Sequence, residues 1–168
     1  ASLLARKPRE LSGGQRQRVI IAMSMVLDPE LIILDEPTTA LDMITQTYIF
    51  DLLLEIHKKR NLSMILITHD LTAAVKLADI IIVMYGGKIM ESGNTDDLFK
   101  NPQHPYTEGL IGAMPFIDGD IVKKKSIQGS PPDLLSRPSG CIFHPRCYLA
   151  EDICKQEEPI LKNSGNRN

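Results

Sequence analysis

The apolar positions of this chain alternate between two rhythms over its first half, and the alternation itself predicts an architecture. From Gln15 to Leu27 the apolar residues Val19, Ile20, Met23, Val26 and Leu27 recur at helical spacing, and Asp28-Pro29 closes the segment. Leu31-Ile32-Ile33-Leu34 then forms an unbroken apolar run of strand length, the pattern of a strand covered on both faces. Asp42 is placed to cap a second helix carrying Thr45, Tyr48, Ile49, Leu52, Leu53 and Ile56, which ends in the cationic Lys58-Lys59-Arg60. Met64-Ile65-Leu66-Ile67 repeats the buried-strand pattern, and Asp70 opens a short helix to about Ala78. Ile80–Tyr85 and Lys88–Ser92 flank Gly86-Gly87, a hairpin signal. Apolar strands alternating with helices predict an α/β fold with a parallel sheet between flanking helices, ending in a β-hairpin.

Beyond Gly93 the rhythm is lost. Asn101-Pro102, His104-Pro105, Met114-Pro115, Pro131-Pro132 and Arg137-Pro138 punctuate the chain, predicting an irregular extension with one short helix over 106–114. The expected division is therefore 1–92 and 93–168.

Composition narrows the function classes. The 168 residues are 43% hydrophobic and 24% charged, ordinary for a globular protein, and a net charge of -2 gives no nucleic-acid footprint. No apolar run approaches the roughly 20 residues of a spanning helix, so a membrane role is expected to come through a partner. The opening Ala1–Arg6 has no export-signal pattern. Without such a signal, three cysteines confined to Cys141–Cys154 point to a metal site before a disulfide.

Candidate chemistry gathers at the strand ends. In open parallel sheets ligands bind at the carboxyl ends of strands, where Asp35 and Glu36 directly follow four apolar residues. One carboxylate there can hold magnesium, and the next can orient and deprotonate a water for attack on a phosphate. His69 follows the second strand and is expected at the same sheet edge, near a phosphate oxygen or the attacking water. Ser12-Gly13-Gly14 precedes a helix whose free amides and positive end suit an anion.

Together these residues resemble the ATP-binding-cassette (ABC) ATPases. Leu11-Ser12-Gly13-Gly14-Gln15 matches the family signature, Leu31–Glu36 its Walker B strand, Thr39-Ala40-Leu41-Asp42 its D-loop, and His69 its switch histidine. The resemblance implies ATP and magnesium as cofactors, with Asp35 on the magnesium, Glu36 as catalytic base and His69 on the terminal phosphate. It also implies that Ser12, Gly13, Gly14 and Gln15 face ATP bound by a second ATPase subunit in a head-to-tail dimer, with Asp42 at that interface. One departure stands out: no Gly-x-x-x-x-Gly-Lys-Ser/Thr phosphate loop occurs in the sequence. The chain is therefore expected to be a fragment, inert alone and with apolar sheet surface left bare.

The extension sharpens the resemblance. Asn101–Thr107, Gly129-Ser130-Pro131-Pro132 and Gly140–Cys147, with Cys154 beyond, are similar to the C-terminal region of oligopeptide/dipeptide importer ATPases, a group that includes nickel importers. Five residues separate Cys141 from Cys147 and six separate Cys147 from Cys154. Three thiolates supply most of the ligands of a four-iron, four-sulfur (4Fe–4S) iron–sulfur cluster, with a fourth from beyond Asn168, as some members of that group carry. His144 offers the alternative of a Cys3His zinc site. The implied partners are transmembrane permease subunits and, indirectly, an extracytoplasmic substrate-binding protein, with the chain at the cytoplasmic face of the membrane and no nucleic acid bound. Two other readings remain at this point: a soluble ABC protein acting on nucleic acid or ribosomes, and a metal-binding remnant without catalysis.

Overall fold

The computed structural model describes residues 5–114 and 127–162. Two compact units divide the chain, residues 1–77 and 78–168.

In the first unit the order is α1 (Gly13–Ser24), β1 (Leu31–Asp35), α2 (Met43–Arg60), β2 (Ser63–Ile67) and α3 (Leu71–Leu77). Strands β1 and β2 pair in parallel, Leu31 opposite Ser63 through Asp35 opposite Ile67, so both carboxyl ends fall at one edge. Helix α2 begins at the Asp42 cap and stops at Asn61, whose left-handed backbone (φ 49°) turns the chain back towards β2. Its last turn carries Lys58, Lys59 and Arg60, cations placed against the negative end of the helix. Helix α1 ends three residues earlier than its apolar spacing predicts. The Met25 amide bonds back to Ala22 and Met23, and Val26 and Leu27 lie exposed in the following turn.

The core of this unit is Ile21 of α1, Ile32 and Leu34 of β1, Ile49 and Leu53 of α2, and Leu62. Burying each such aliphatic side chain contributes roughly 1.5–3 kcal/mol. One face of the strand pair carries the bare apolar surface expected from the sequence. Ile32 and Leu34 are covered, whereas Leu31, Ile33, Ile65 and Ile67 on the opposite face are exposed, Ile33 to 63%. Both helices that contribute to this core serve one face of the two-stranded sheet, and the other face has no cover among the described residues.

The second unit opens with the hairpin β3 (Ile80–Tyr85) and β4 (Lys88–Asn94), antiparallel with a register shift between Val83 and Met84. Gly86 and Gly87 both have positive φ (57° and 80°), as a two-residue primed turn requires. Two helices follow, α4 (Thr95–Lys100) and α5 (Pro105–Gly112). Only α5 matches the expected short helix, at residues 106–114; Pro115 lies outside the described residues. Pro105 occupies the first turn of α5, and the His104 ring caps it, Nδ1 accepting the Tyr106 amide at 3.0 Å. The segment before α5 is clasped by Glu91 of β4, 3% exposed, whose two carboxylate oxygens accept the amides of Gln103 (2.9 Å) and His104 (3.0 Å).

The extension then folds back in two short 3-10 turns, His144–Arg146 and Asp152–Lys155. Tyr85, Tyr106 and Phe143 form an aromatic cluster with ring centroids 4.6 to 5.3 Å apart, and His104 joins it against Phe143. Among the described residues no helix is long and apolar enough to cross a membrane.

Candidate functional site

The strand-end turn is built around two residues with unusual backbone. Glu36 has φ 46° and Ala40 φ 65°, left-handed values that non-glycine residues adopt at a cost. Three bonds hold the turn: the Glu36 amide to Ile67 O (2.9 Å), the Thr39 amide to Glu36 O (3.2 Å) and the Leu41 amide to Thr38 O (3.2 Å). The first extends the parallel ladder one step past β1, so the Glu36 side chain emerges beside the loop that follows β2.

There the Glu36 carboxylate is clamped at both oxygens. Oε1 accepts the His69 backbone amide at 3.1 Å and faces the His69 Nδ1 at 2.7 Å. Oε2 accepts the Thr39 hydroxyl at 2.9 Å. The His69 and Thr39 hydrogen bonds favour the charged carboxylate and hold it below the usual range, while the same contact raises the His69 imidazole. The pair is thus an imidazolium beside a carboxylate at mildly acid pH, still open to water on the exposed histidine side. Asp35, immediately before it at the strand end, is exposed. Thr39 is the residue that sequence reading missed as part of this clamp. Its signal was a hydroxyl three positions after a carboxylate in a proline-containing turn, a side-chain-to-turn bond of familiar type.

The signature segment forms a second cluster in the same unit. Ser12 and Gln15 make a reciprocal capping box: the Ser12 hydroxyl accepts the Gln15 amide (3.3 Å) and the Gln15 carbonyl oxygen accepts the Ser12 amide (3.1 Å). Asp42 caps α2, accepting the Thr45 amide (2.9 Å) and hydroxyl (2.7 Å), and those bonds lower its carboxyl. The glycines between are sites of close approach. A Cβ on Gly13 would lie 2.9 Å from Leu41 Cδ2, and one on Gly14 only 2.4 Å from Thr45 Cγ2.

Cys141, Cys147 and Cys154 are free thiols packed about one apolar cluster, with the Cys141 amide bonded to Cys154 O at 2.8 Å. Among the described residues no three His, Cys, Asp or Glu side chains are arranged to hold a metal ion. Burial, first, and the neighbouring Cys141 and Cys154 raise the Cys147 thiol above its ordinary value. His144 directs Nδ1 to the Cys141 carbonyl (2.9 Å).

A parallel strand pair ending in an acid pair, a histidine from the neighbouring strand and a glycine-rich helix start define a nucleotide-hydrolase fold of the ABC class. Comparison with known proteins agrees. Residues 1–39 match the ABC transporter family, and residues 90–154 match the family described as oligopeptide/dipeptide transporter, C-terminal region. The chain is 51% identical over 152 residues to the dipeptide transport ATP-binding protein DppD of Caldanaerobacter subterraneus subsp. tengcongensis, covering 90% of this chain and 47% of that one. It is 47% identical over 161 residues to DppD of Escherichia coli K12 (96% and 49% covered), and 49% identical over 154 residues to the oligopeptide transport ATP-binding protein AppD of Bacillus subtilis 168 (92% and 47%). Among solved structures it is similar to CbiO1 of Clostridium perfringens, part of the ABC transporter complex CbiONQ, with TM-score 0.52 and 36% identity over 56% of this chain and 38% of that one. An inward-facing metal-chelate type ABC transporter gives TM-score 0.52 at 32% identity, covering 55% and 37%. The chain thus carries a stretch of the ABC transporter family followed by the oligopeptide/dipeptide transporter C-terminal region, and over 90% or more of its length it is similar to the ATP-binding proteins of such transporters. It spans about half the length of the curated relatives it matches.

Proposed function

We propose that this chain supplies the base, magnesium-holding and signature elements of an ATPase subunit that powers import of dipeptides or oligopeptides. The observation that carries the reading is the clamped Glu36 at the carboxyl end of β1, with His69 on one oxygen and Thr39 on the other. ATP with magnesium, when bound, supplies the phosphoryl group and neutralises charge on its oxygens. The exposed Asp35 carboxylate is a hard oxygen donor at the right edge of the sheet, and it would hold the magnesium. Glu36 accepts the proton of the attacking water. Its clamp leaves lone pairs on a carboxylate already fixed in direction, which favours one approach of the water. His69 has Nδ1 committed to Glu36, so Nε2 is the nitrogen left for a terminal phosphate oxygen.

Ser12, Gly13, Gly14 and Gln15 serve a nucleotide bound by the opposite subunit of a head-to-tail dimer, with Asp42 at that contact. Opening the Ser12–Gln15 capping box would release two polar side chains and two amides towards an anion. The remaining partners are transmembrane permease subunits, against which the chain sits at the cytoplasmic face of the membrane, and, through them, an extracytoplasmic substrate-binding protein. We divide the chain into an ATPase part, 1–92, and a transporter-type extension, 93–168, a division supported by the family match over 90–154.

The test is magnesium-dependent ATP hydrolysis by the assembled ATPase containing this chain, with Glu36→Gln as probe. Turnover is expected to fall by at least about hundredfold, the usual contribution of a positioned base, while nucleotide binding is retained. Unchanged turnover in Glu36→Gln overturns the assignment.

A further inference from the structure

We infer that Thr45 and Leu41 are positioning residues: they set the spacing between the signature turn, Ser12–Gln15, and the Asp42 turn, so that the two act as one rigid edge. The inference rests on the ATPase reading above and adds a mechanical link within one subunit.

Four contacts carry it. Leu41 Cδ2 lies 2.9 Å from the place a Gly13 Cβ would occupy, and Thr45 Cγ2 lies 2.4 Å from that of Gly14. Gly14 is buried, so this close approach is enclosed and has no slack on the solvent side. From the other end of the same side chain, the Thr45 hydroxyl bonds Asp42 Oδ2 at 2.7 Å, and the Thr45 amide bonds Oδ1 at 2.9 Å. One β-branched residue therefore touches the signature glycine with its methyl and holds the Asp42 carboxylate with its hydroxyl. Its stiff side-chain torsion fixes the relation between the two.

The required glycines have a cause here that is independent of any ligand. Their missing side chains make room for α2 and for the turn before it. A displacement of Thr45 by a few tenths of an ångström moves the cap of α2 and the start of α1 together, and close packing transmits it without damping. The signature donors and the Asp42 carboxylate thus present a fixed separation to whatever docks against them.

The substitutions separate the methyl from the hydroxyl. Gly14→Ala places a methyl group on Thr45 Cγ2; Thr45→Ser removes that carbon and keeps the bond to Asp42. In the assembled ATPase, G14A is expected to lower kcat about hundredfold, the scale of a misplaced catalytic group. The double variant G14A/T45S is expected to recover at least about tenfold of that loss, whereas G14A/T45V, which retains a γ-carbon against position 14, recovers nothing. T45V alone, packing intact but the Asp42 bond gone, is expected to lower kcat about three- to tenfold at unchanged KM, the scale of one hydrogen bond to a charged group, with T45S close to wild type. These single variants carry the test if G14A does not fold. A G14A/T45S protein as inactive as G14A, or a T45V protein with wild-type kcat, overturns the positioning role. Wild-type turnover in E36Q overturns the ATPase reading instead. The geometry has its own readout in the full chain: a nuclear Overhauser contact between the Thr45 methyl and the Gly14 α-protons is expected, and its absence refutes the packing.

Discussion

Replacing Glu91 tests how the extension is fastened to the hairpin. Glu91 is 3% exposed, and its carboxylate is the acceptor for two consecutive amides, Gln103 at 2.9 Å and His104 at 3.0 Å. Those amides precede α5 and cannot be satisfied within it. A hydrogen bond to a charged group contributes about 1.5–3 kcal/mol, and two such bonds give an upper figure of about 3–6 kcal/mol for Glu91→Ala. The real loss is smaller because Glu91, Gln103 and His104 line a cavity of about 250 Å³, through which water can reach the orphaned amides. We expect about 2–4 kcal/mol for Glu91→Ala and about half that for Glu91→Gln, whose amide oxygen can accept one of the two donors while its NH2 group faces the other. Amide hydrogen exchange in the full chain reads this locally: Gln103 and His104 should be protected in the wild type and exchange at least about thirtyfold faster in Glu91→Ala, about 2 kcal/mol expressed as a rate ratio. Unchanged protection of both amides would refute the clasp, and an equal loss across the first unit would show that the effect is not local.

Three further outcomes follow from the same structure. His104 is depressed chiefly by burial, partly offset by Glu91, and its Nδ1 must stay unprotonated to accept the Tyr106 amide. Its contribution to stability is therefore complete above the unfolded value near 6.5 and is lost as pH falls from there through the lower folded value. Melting of the full chain between pH 8 and 5 should show this slope, and His104→Asn, which keeps a capping oxygen, should reduce it; an identical slope in the variant refutes the assignment. Leu53 is 0% exposed at the centre of the first core, so Leu53→Ala should cost about 2–5 kcal/mol in urea unfolding, with a change below about 1 kcal/mol counting against the core as described. The bare face formed by Leu31, Ile33, Ile65 and Ile67 predicts concentration-dependent association of the isolated chain, seen by sedimentation; a monodisperse monomer at high concentration would contradict it.

Much of the first unit was legible in the residues because its signals are local. Helical spacing after Gly13, apolar runs at 31–34 and 64–67, the Asp42 cap and the Gly86-Gly87 turn each act within a few positions, and each is found where the pattern placed it. The order of Ser12-Gly13-Gly14, Asp35-Glu36 and His69 likewise carries the family. Helix α4 was not legible: its six residues are too few to show a period. Nor was the early end of α1, since Val26 and Leu27 continue the apolar pattern into a turn.

What tertiary structure decided is everything that joins distant positions. Glu36 and His69 are 33 residues apart, and only the parallel register of β1 with β2 sets Glu36 Oε1 against both the backbone amide and the ring Nδ1 of His69. Gly14 reads as a flexible or ligand-facing glycine until Thr45 is seen in the space its side chain would fill. The cysteine spacing suits a metal, and only the fold shows that a backbone bond joins Cys141 to Cys154 while the half-buried Cys147 packs against the same apolar cluster. Sequence determined which chemistry-bearing residues were available and which elements carry them, because capping, turns and periodicity are short-range. Which of those residues meet, and which face of the sheet stays bare, is set by register and packing, which are long-range and depend on every element at once.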